Sequence, residues 1–102
     1  MPASSSPLTV AELRTIFDSG EFTGQTVAVR GVVDPRCYRF DCDLVMDVAD
    51  QASPRISLAG GTPVEAELML RKGRIVTLTG TIGDKVRSTD RVSEFIPTGL
   101  AD

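Results

Sequence analysis

The stretch Thr26-Val27-Ala28-Val29-Arg30-Gly31-Val32-Val33 changes character at every second residue. Val27, Val29, Gly31 and Val33 fall on one side of an extended chain and Ala28, Arg30 and Val32 on the other, which is the period of a strand with one face in a core. Gly31 adds little to such a strand and marks a bulge, or a sharp coil where a small barrel turns its corner. Asp34-Pro35 then closes the strand. Residues 74–82 repeat the design: Val76, Leu78, Gly80 and Ile82 share one face, while Ile75 and three threonines share the other. Gly80 again signals a bend.

Working outward, residues 43–49 form a second strand in which Leu44, Met46 and Val48 alternate with Asp43, Val45 and Asp47, leaving an acidic outer face. Residues 50–54 make a turn, 55–59 a short third strand, and Gly60-Gly61 its end. Thr62-Pro63-Val64-Glu65 combines an N-cap threonine with a first-turn proline and glutamate, so the spacing predicts a helix over 63–71, stopped by Gly73. Val64, Ala66, Leu68 and Leu70 also alternate as a strand would, and the cap chemistry decides for the helix. Residues 83–90 are a polar loop, and 92–96 a last strand ended by Pro97. Near the start, Thr9-Val10-Ala11-Glu12 is a capping box. Val10, Leu13, Ile16 and Phe17 follow at helical spacing, predicting a helix over 10–18 that leaves through Gly20.

The order is helix, three strands, helix, two strands. Hairpin-length connections among the first three strands exclude a parallel sheet, which needs a crossover of a dozen or more residues. An open sheet of this size leaves its edges unpaired, whereas closure satisfies them and lets a short helix plug one end. The expected fold class is all-β with short helices: a five-stranded Greek-key OB-fold barrel, with an N-terminal helix and a second helix between strands 3 and 4. Residues 9–98 are expected to form the single domain, with a flexible tail at 1–8 and another at 99–102.

Length and composition agree with one domain: 102 residues with 41% hydrophobic content. A net charge of −3 and a pI near 4.8 give no global positive field, so binding to nucleic acid must come from a local patch. Residues 1–7 have neither a basic flank nor an apolar run, and no stretch approaches a membrane span of roughly 20 apolar residues. A cytoplasmic location is the resulting expectation. The two cysteines, Cys37 and Cys42, have no histidine partners and supply half of a zinc ligand set at most. Reduced, incidental thiols are expected, with a disulfide or redox role as the alternative.

Residues 27–33, then Arg36 and Phe40, and later Lys72-Gly73-Arg74-Ile75-Val76-Thr77-Leu78-Thr79-Gly80-Thr81-Ile82, resemble the tRNA-anticodon-binding-like branch of the OB-fold superfamily. The likeness covers about residues 24 to 96 and lies in glycines and β-branched residues. It implies that an arginine and an aromatic shortly after the first strand help hold single-stranded RNA or DNA, positions matched here by Arg36 and Phe40. The chain departs from the family in its acidic charge and in the spacing of residues 37–43, and it is expected to stand alone, without an attached catalytic domain.

In such barrels the ligand lies across strands two and three, flanked by the loops joining strands one to two and four to five. Here the first loop holds Arg36, Tyr38, Arg39 and Phe40, guanidinium groups for phosphate and rings for stacked bases. The second offers Lys85, Arg87 and Arg91. These seven residues are the candidate nucleic-acid contacts. The plainer reading is that the arginines are solvated and that the rings plug the barrel. Asp41, Asp43 and Asp47 beside the cleft would repel phosphate and keep affinity modest and salt-sensitive. A cation site built from Asp41, Asp43, Asp47 and Asp50 is the weaker alternative to a solvated acidic face. With no histidine and no nucleophile motif, a binding module is expected, with no catalytic residues, metal or cofactor. The competing function is a protein-interaction or assembly module that uses the barrel edge or the N-terminal helix without binding nucleic acid. A small-ligand site is a third possibility, and a homodimer fits an exposed barrel edge.

Overall fold

The computed structural model of the chain describes residues 7–37, 42–60, 62–83 and 94–101. Its elements are β1 (Leu8–Thr9), α1 (Val10–Ser19), β2 (Thr26–Val33), β3 (Cys42–Val45), β4 (Arg55–Leu58), α2 (Glu65–Met69), β5 (Ile75–Ile82) and β6 (Phe95–Ala101). Apart from the two-residue β1, this is the expected order. β2 runs antiparallel to β5 from Thr26↔Thr81 to Val32↔Ile75. On its other edge it meets β3 at Val32↔Val45 and Val33↔Leu44. β3 pairs antiparallel with β4, β4 runs parallel to β6 at Leu58↔Phe95, and β6 returns antiparallel on β5. The five strands β2, β3, β4, β6 and β5 thus close on themselves. The protein is an all-β, OB-like closed barrel with two short helices.

The two-residue period sorts the strands as read. Val29 and Val33 of β2, Leu44 of β3, Ile56 and Leu58 of β4, Val76, Leu78 and Ile82 of β5, and Phe95 of β6 are buried in one core. α1 closes the end where β2 begins and β5 finishes, driving Val10, Leu13 and Phe17 into that core. Its capping box is formed: Thr9 Oγ1 accepts from the Glu12 N–H at 3.1 Å, and the Glu12 carboxylate accepts from the Thr9 N–H at 2.8 Å. Gly20 leaves the helix at φ 74°. Arg14 stitches the helix to the barrel, donating to the Arg55 carbonyl and to both oxygens of Glu94, whose Oε1 also accepts from the Ser57 N–H. A carboxylate and a guanidinium thus reinforce the short backbone junction between β4 and β6.

The two strand glycines serve different ends. A Cβ on Gly31 would lie 2.6 Å from Val10 Cγ2 and 2.9 Å from Leu44 Cγ. Gly31 sits where β2 passes from its pairing with β1 at Val29 and Arg30 to its pairing with β3 at Val32 and Val33. Its bare Cα lets α1 enter the barrel through that gap, so close approach and not a bulge explains it. Gly80 marks the expected irregularity: the β5–β6 register shifts between Thr79 and Gly80, and a Cβ there would collide with the backbone at Ile96 and Pro97.

Several boundaries move. β3 stops at Val45 and does not reach residue 49, because Asp47 and Asp50 turn their carboxylates onto the N–H groups of Ala49 and Ala52. Such Asx turns compete with a ladder. Pro97 does not end the last strand. It lies opposite Gly80 at the register shift, where a missing donor is tolerated, and β6 continues to Ala101. Residues 99–101, expected in a tail, pair with Thr77, Leu78 and Thr79, and Leu8 pairs with Val29. Residues 92 and 93 of the expected last strand lie outside the described residues. α2 is a helix and not the rival strand, but it is shorter than 63–71 and uncapped. Val64 occupies the N-cap with no side-chain bond, and the buried Thr62 hydroxyl has no partner among the described residues.

The expectation of free thiols is overturned, since Cys37 and Cys42 form a disulfide. The Asp34 N–H donates to the Asp43 carbonyl and the Cys37 N–H to the Asp34 carbonyl. That turn brings Cys37 back beside the first residue of β3, with the Cα atoms 4.4 Å apart. Both sulfurs are buried in the core, Cys37 Sγ at 3.5 Å from Met69 Sδ of α2. Among the described residues, no helix is long and apolar enough to cross a membrane.

Candidate nucleic-acid interface

The antiparallel β2–β5 ladder places the two candidate loops at its opposite ends. One leaves β2 after Val33, and the other leaves β5 after Ile82. Seven register pairs separate these points, about 20 Å of strand. A ligand touching both loops must therefore cross the barrel wall.

Of the seven candidate contacts, Arg36 is the one described; Tyr38, Arg39, Phe40, Lys85, Arg87 and Arg91 lie outside the described residues. Arg36 is held by Asp34. The carboxylate of Asp34 accepts from the Arg36 backbone N–H at 2.9 Å, from its Nε at 3.2 Å and from its Nη2 at 3.2 Å. The Arg36 side chain is 66% exposed and that of Asp34 only 8%. A buried acid thus fixes a guanidinium whose remaining nitrogen makes no hydrogen bond among the described residues. Burial alone would push the Asp34 carboxyl up, but hydrogen bonds from Arg36 and the charges of Arg36 and Arg55 outweigh it and hold the group below the ordinary aspartate value. The same pairing raises the pKa of Arg36, chiefly through the side-chain bond to Asp34.

Arg55 was missed in the sequence, and it reorganises the acidic face. Its Nη1 donates to Asp34 Oδ2 at 3.2 Å and to Asp43 Oδ2 at 2.9 Å. It stands opposite Val45 at the end of the four-pair β3–β4 ladder. Alternation makes Arg55 an outward residue, but the length of the intervening hairpin hides its pairing with Asp43. Of the acids expected to repel phosphate, Asp43 is paired with Arg55 and Asp47 accepts from the Ala49 N–H in its own turn, while Asp41 lies outside the described residues. Among the described residues, no group of three or more potential metal ligands converges.

A second missed feature adjoins Arg36. The turn 70–74 after α2 is bound to the end of β2, with the Gly73 N–H donating to the Val33 carbonyl at 2.7 Å and the Val33 N–H to the Arg74 carbonyl at 3.0 Å. Gly73 adopts φ 80°, and a Cβ there would touch Pro35 at 3.9 Å. The basic residues of this turn thus share a rim with Arg36, which only the β2–β5 register reveals.

At the far side, Leu8, Ile16, Phe22 and Val27 line a largely apolar groove of about 560 Å³ whose floor includes Thr26, Ala28 and Thr79. It lies between α1 and the first residues of β2. No protein-family model matches the chain, and no curated protein matches it. The class is accordingly defined by architecture, as an OB-like barrel.

Proposed function

We propose that this chain is a single-stranded nucleic-acid-binding member of the OB-fold superfamily, a binding module and not an enzyme. The observation that carries the reading is the Asp34–Arg36 clamp, because a buried carboxylate holds an exposed guanidinium ready for phosphate at little further cost in side-chain entropy. By sequence position, Arg39 adds a second cation and Tyr38 and Phe40 two stacking rings within the segment spanned by the disulfide. Lys85, Arg87 and Arg91 serve the second loop. Fluorescence anisotropy of labelled single-stranded DNA and RNA at low and physiological salt tests the reading. Binding that weakens linearly in log salt supports it; no binding to either at low salt refutes it.

A second reading, as a protein-interaction module, draws on the apolar groove beside the start of β2. An extended peptide with small apolar side chains is the partner that such a groove beside a strand suits. Removal of residues 1–20 is no test of this reading, because Val10, Leu13 and Phe17 belong to the core and the truncated barrel would unfold. Ala28→Arg in the groove should abolish peptide capture and leave oligonucleotide binding unchanged.

The cytoplasmic location expected from the sequence stands against the disulfide, since such bonds persist in oxidising compartments and are rare in the cytosol. Alkylation of cell extracts under acid quench decides between them: blocked thiols at Cys37 and Cys42 favour the cytoplasm, and unreactive cysteines an oxidising compartment.

A further inference from the structure

Resting on the nucleic-acid reading, we infer that the α2–β5 turn is a phosphate-backbone subsite, with Lys72 and Arg74 extending the contact begun by Arg36. By sequence alone the turn only ends a helix, and the candidate contacts fall on the loops after β2 and after β5. Three observations give it a further role.

First, the turn is joined to the Arg36 loop by the paired hydrogen bonds between Gly73, Arg74 and Val33 and by the approach of Gly73 to Pro35. The cations on the two segments are therefore held on one rim by backbone, not by flexible tethers. Second, Lys72 and Arg74 are exposed and make no ion pair among the described residues. By contrast, Arg14 and Arg55 are committed to carboxylates, and Arg71 is half-buried and donates to the Glu67 carbonyl at the end of α2. Charge left unpaired on a rim concentrates positive potential there, whereas Arg30, exposed and also without an ion pair among the described residues, donates to Thr77 Oγ1. Third, the cations are interleaved with Leu70, 78% exposed, and Ile75, 54% exposed. Isolated apolar side chains beside cations give base faces somewhere to rest while phosphates meet the charges, the pairing of roles used along single strands.

The same chemistry would suit an anionic membrane surface. The compact turn and its continuity with the fixed Arg36 favour a strand lying along the rim over a helix lying in a bilayer, because α2 is only five residues long and cannot present an amphipathic face.

The experiment is anisotropy with a labelled deoxythymidine 12-mer, over a salt series, for the wild type, for Lys72→Gln/Arg74→Gln, and for Lys85→Gln/Arg87→Gln. Liposome flotation with phosphatidylserine vesicles runs in parallel, and thermal melts confirm that the exposed substitutions leave the barrel folded. The expected result is a loss of affinity of about 10- to 30-fold at 0.1 M salt for Lys72→Gln/Arg74→Gln, with the log–log salt slope shallower by about 1.4, or roughly 0.7 per lost phosphate contact. Wild-type binding left intact by that pair, whether or not Lys85→Gln/Arg87→Gln weakens it, overturns this subsite and leaves the nucleic-acid reading standing. A wild type that ignores the oligomer overturns both, and flotation lost in Lys72→Gln/Arg74→Gln without oligomer binding reassigns the rim to a membrane surface.

Discussion

The two ends of the barrel are closed in different ways. At one, α1 has ten residues, a complete capping box, a left-handed glycine exit and three side chains deep in the core. At the other, α2 has five residues, no side-chain cap and a buried Thr62 hydroxyl without a partner among the described residues. What stabilises the second end is tertiary: Leu68 in the core, Met69 against the disulfide, and the Val33 hydrogen bonds to the following turn. A helix of one and a half turns is far below the length at which propensity suffices. The first end is thus locally encoded. The second is held by long-range contacts, and the turn that follows it exposes Lys72 and Arg74.

The contrast can be strained from both sides. The largest effect is expected at the α1 end, where Leu13→Ala should cost about 3–4 kcal/mol in chemical denaturation, as for other fully buried leucines. A loss under 1 kcal/mol would mean that α1 is not part of the core. Asp34→Ala, at the α2 end, should cost about 2 kcal/mol by leaving Arg36 and Arg55 without their shared carboxylate. Because the folded protein holds Asp34 below its unfolded value, this contribution is complete above about pH 4 and is lost as pH falls through the depressed folded value. Asp34→Asn should therefore flatten the acid limb of stability measured between about pH 5 and 2, and an unchanged limb would contradict the clamp. Reduction of the disulfide should cost about 2 kcal/mol, the loop-entropy value for so short a closure, and should lower the melting temperature without unfolding α1.

The smallest effects separate the two caps. Thr9→Ala should cost about 1 kcal/mol, whereas Thr62→Val should be neutral or stabilising, since it removes a buried hydroxyl that makes no bond among the described residues. Equal losses at the two threonines would show that Thr62 caps α2 after all.

What the sequence made legible follows the same division. α1 and the inward faces of β2 and β5 were readable because capping and alternation are local signals, and the closed barrel followed from strand order and short connections. Pro97 misled because its place opposite Gly80 depends on a register that no neighbouring residue announces. Cys37 and Cys42 misled because the turn that joins them is set by the hydrogen bonds of Asp34 to Asp43 and Cys37, which the cysteine spacing does not reveal. At the candidate site Arg36 was legible, but its clamp by Asp34, the neutralisation of Asp43 by Arg55, and the alliance with Lys72 and Arg74 all arise from residues far apart in sequence.

The nucleic-acid reading and its rim are tested most directly by two-dimensional amide NMR of the wild type titrated with an unlabelled single-stranded 12-mer. Shifts are expected at residues 33–40, 71–76 and 83–91, with Val10–Ser19 unmoved. Shifts centred on α1, or none at any residue, would contradict it.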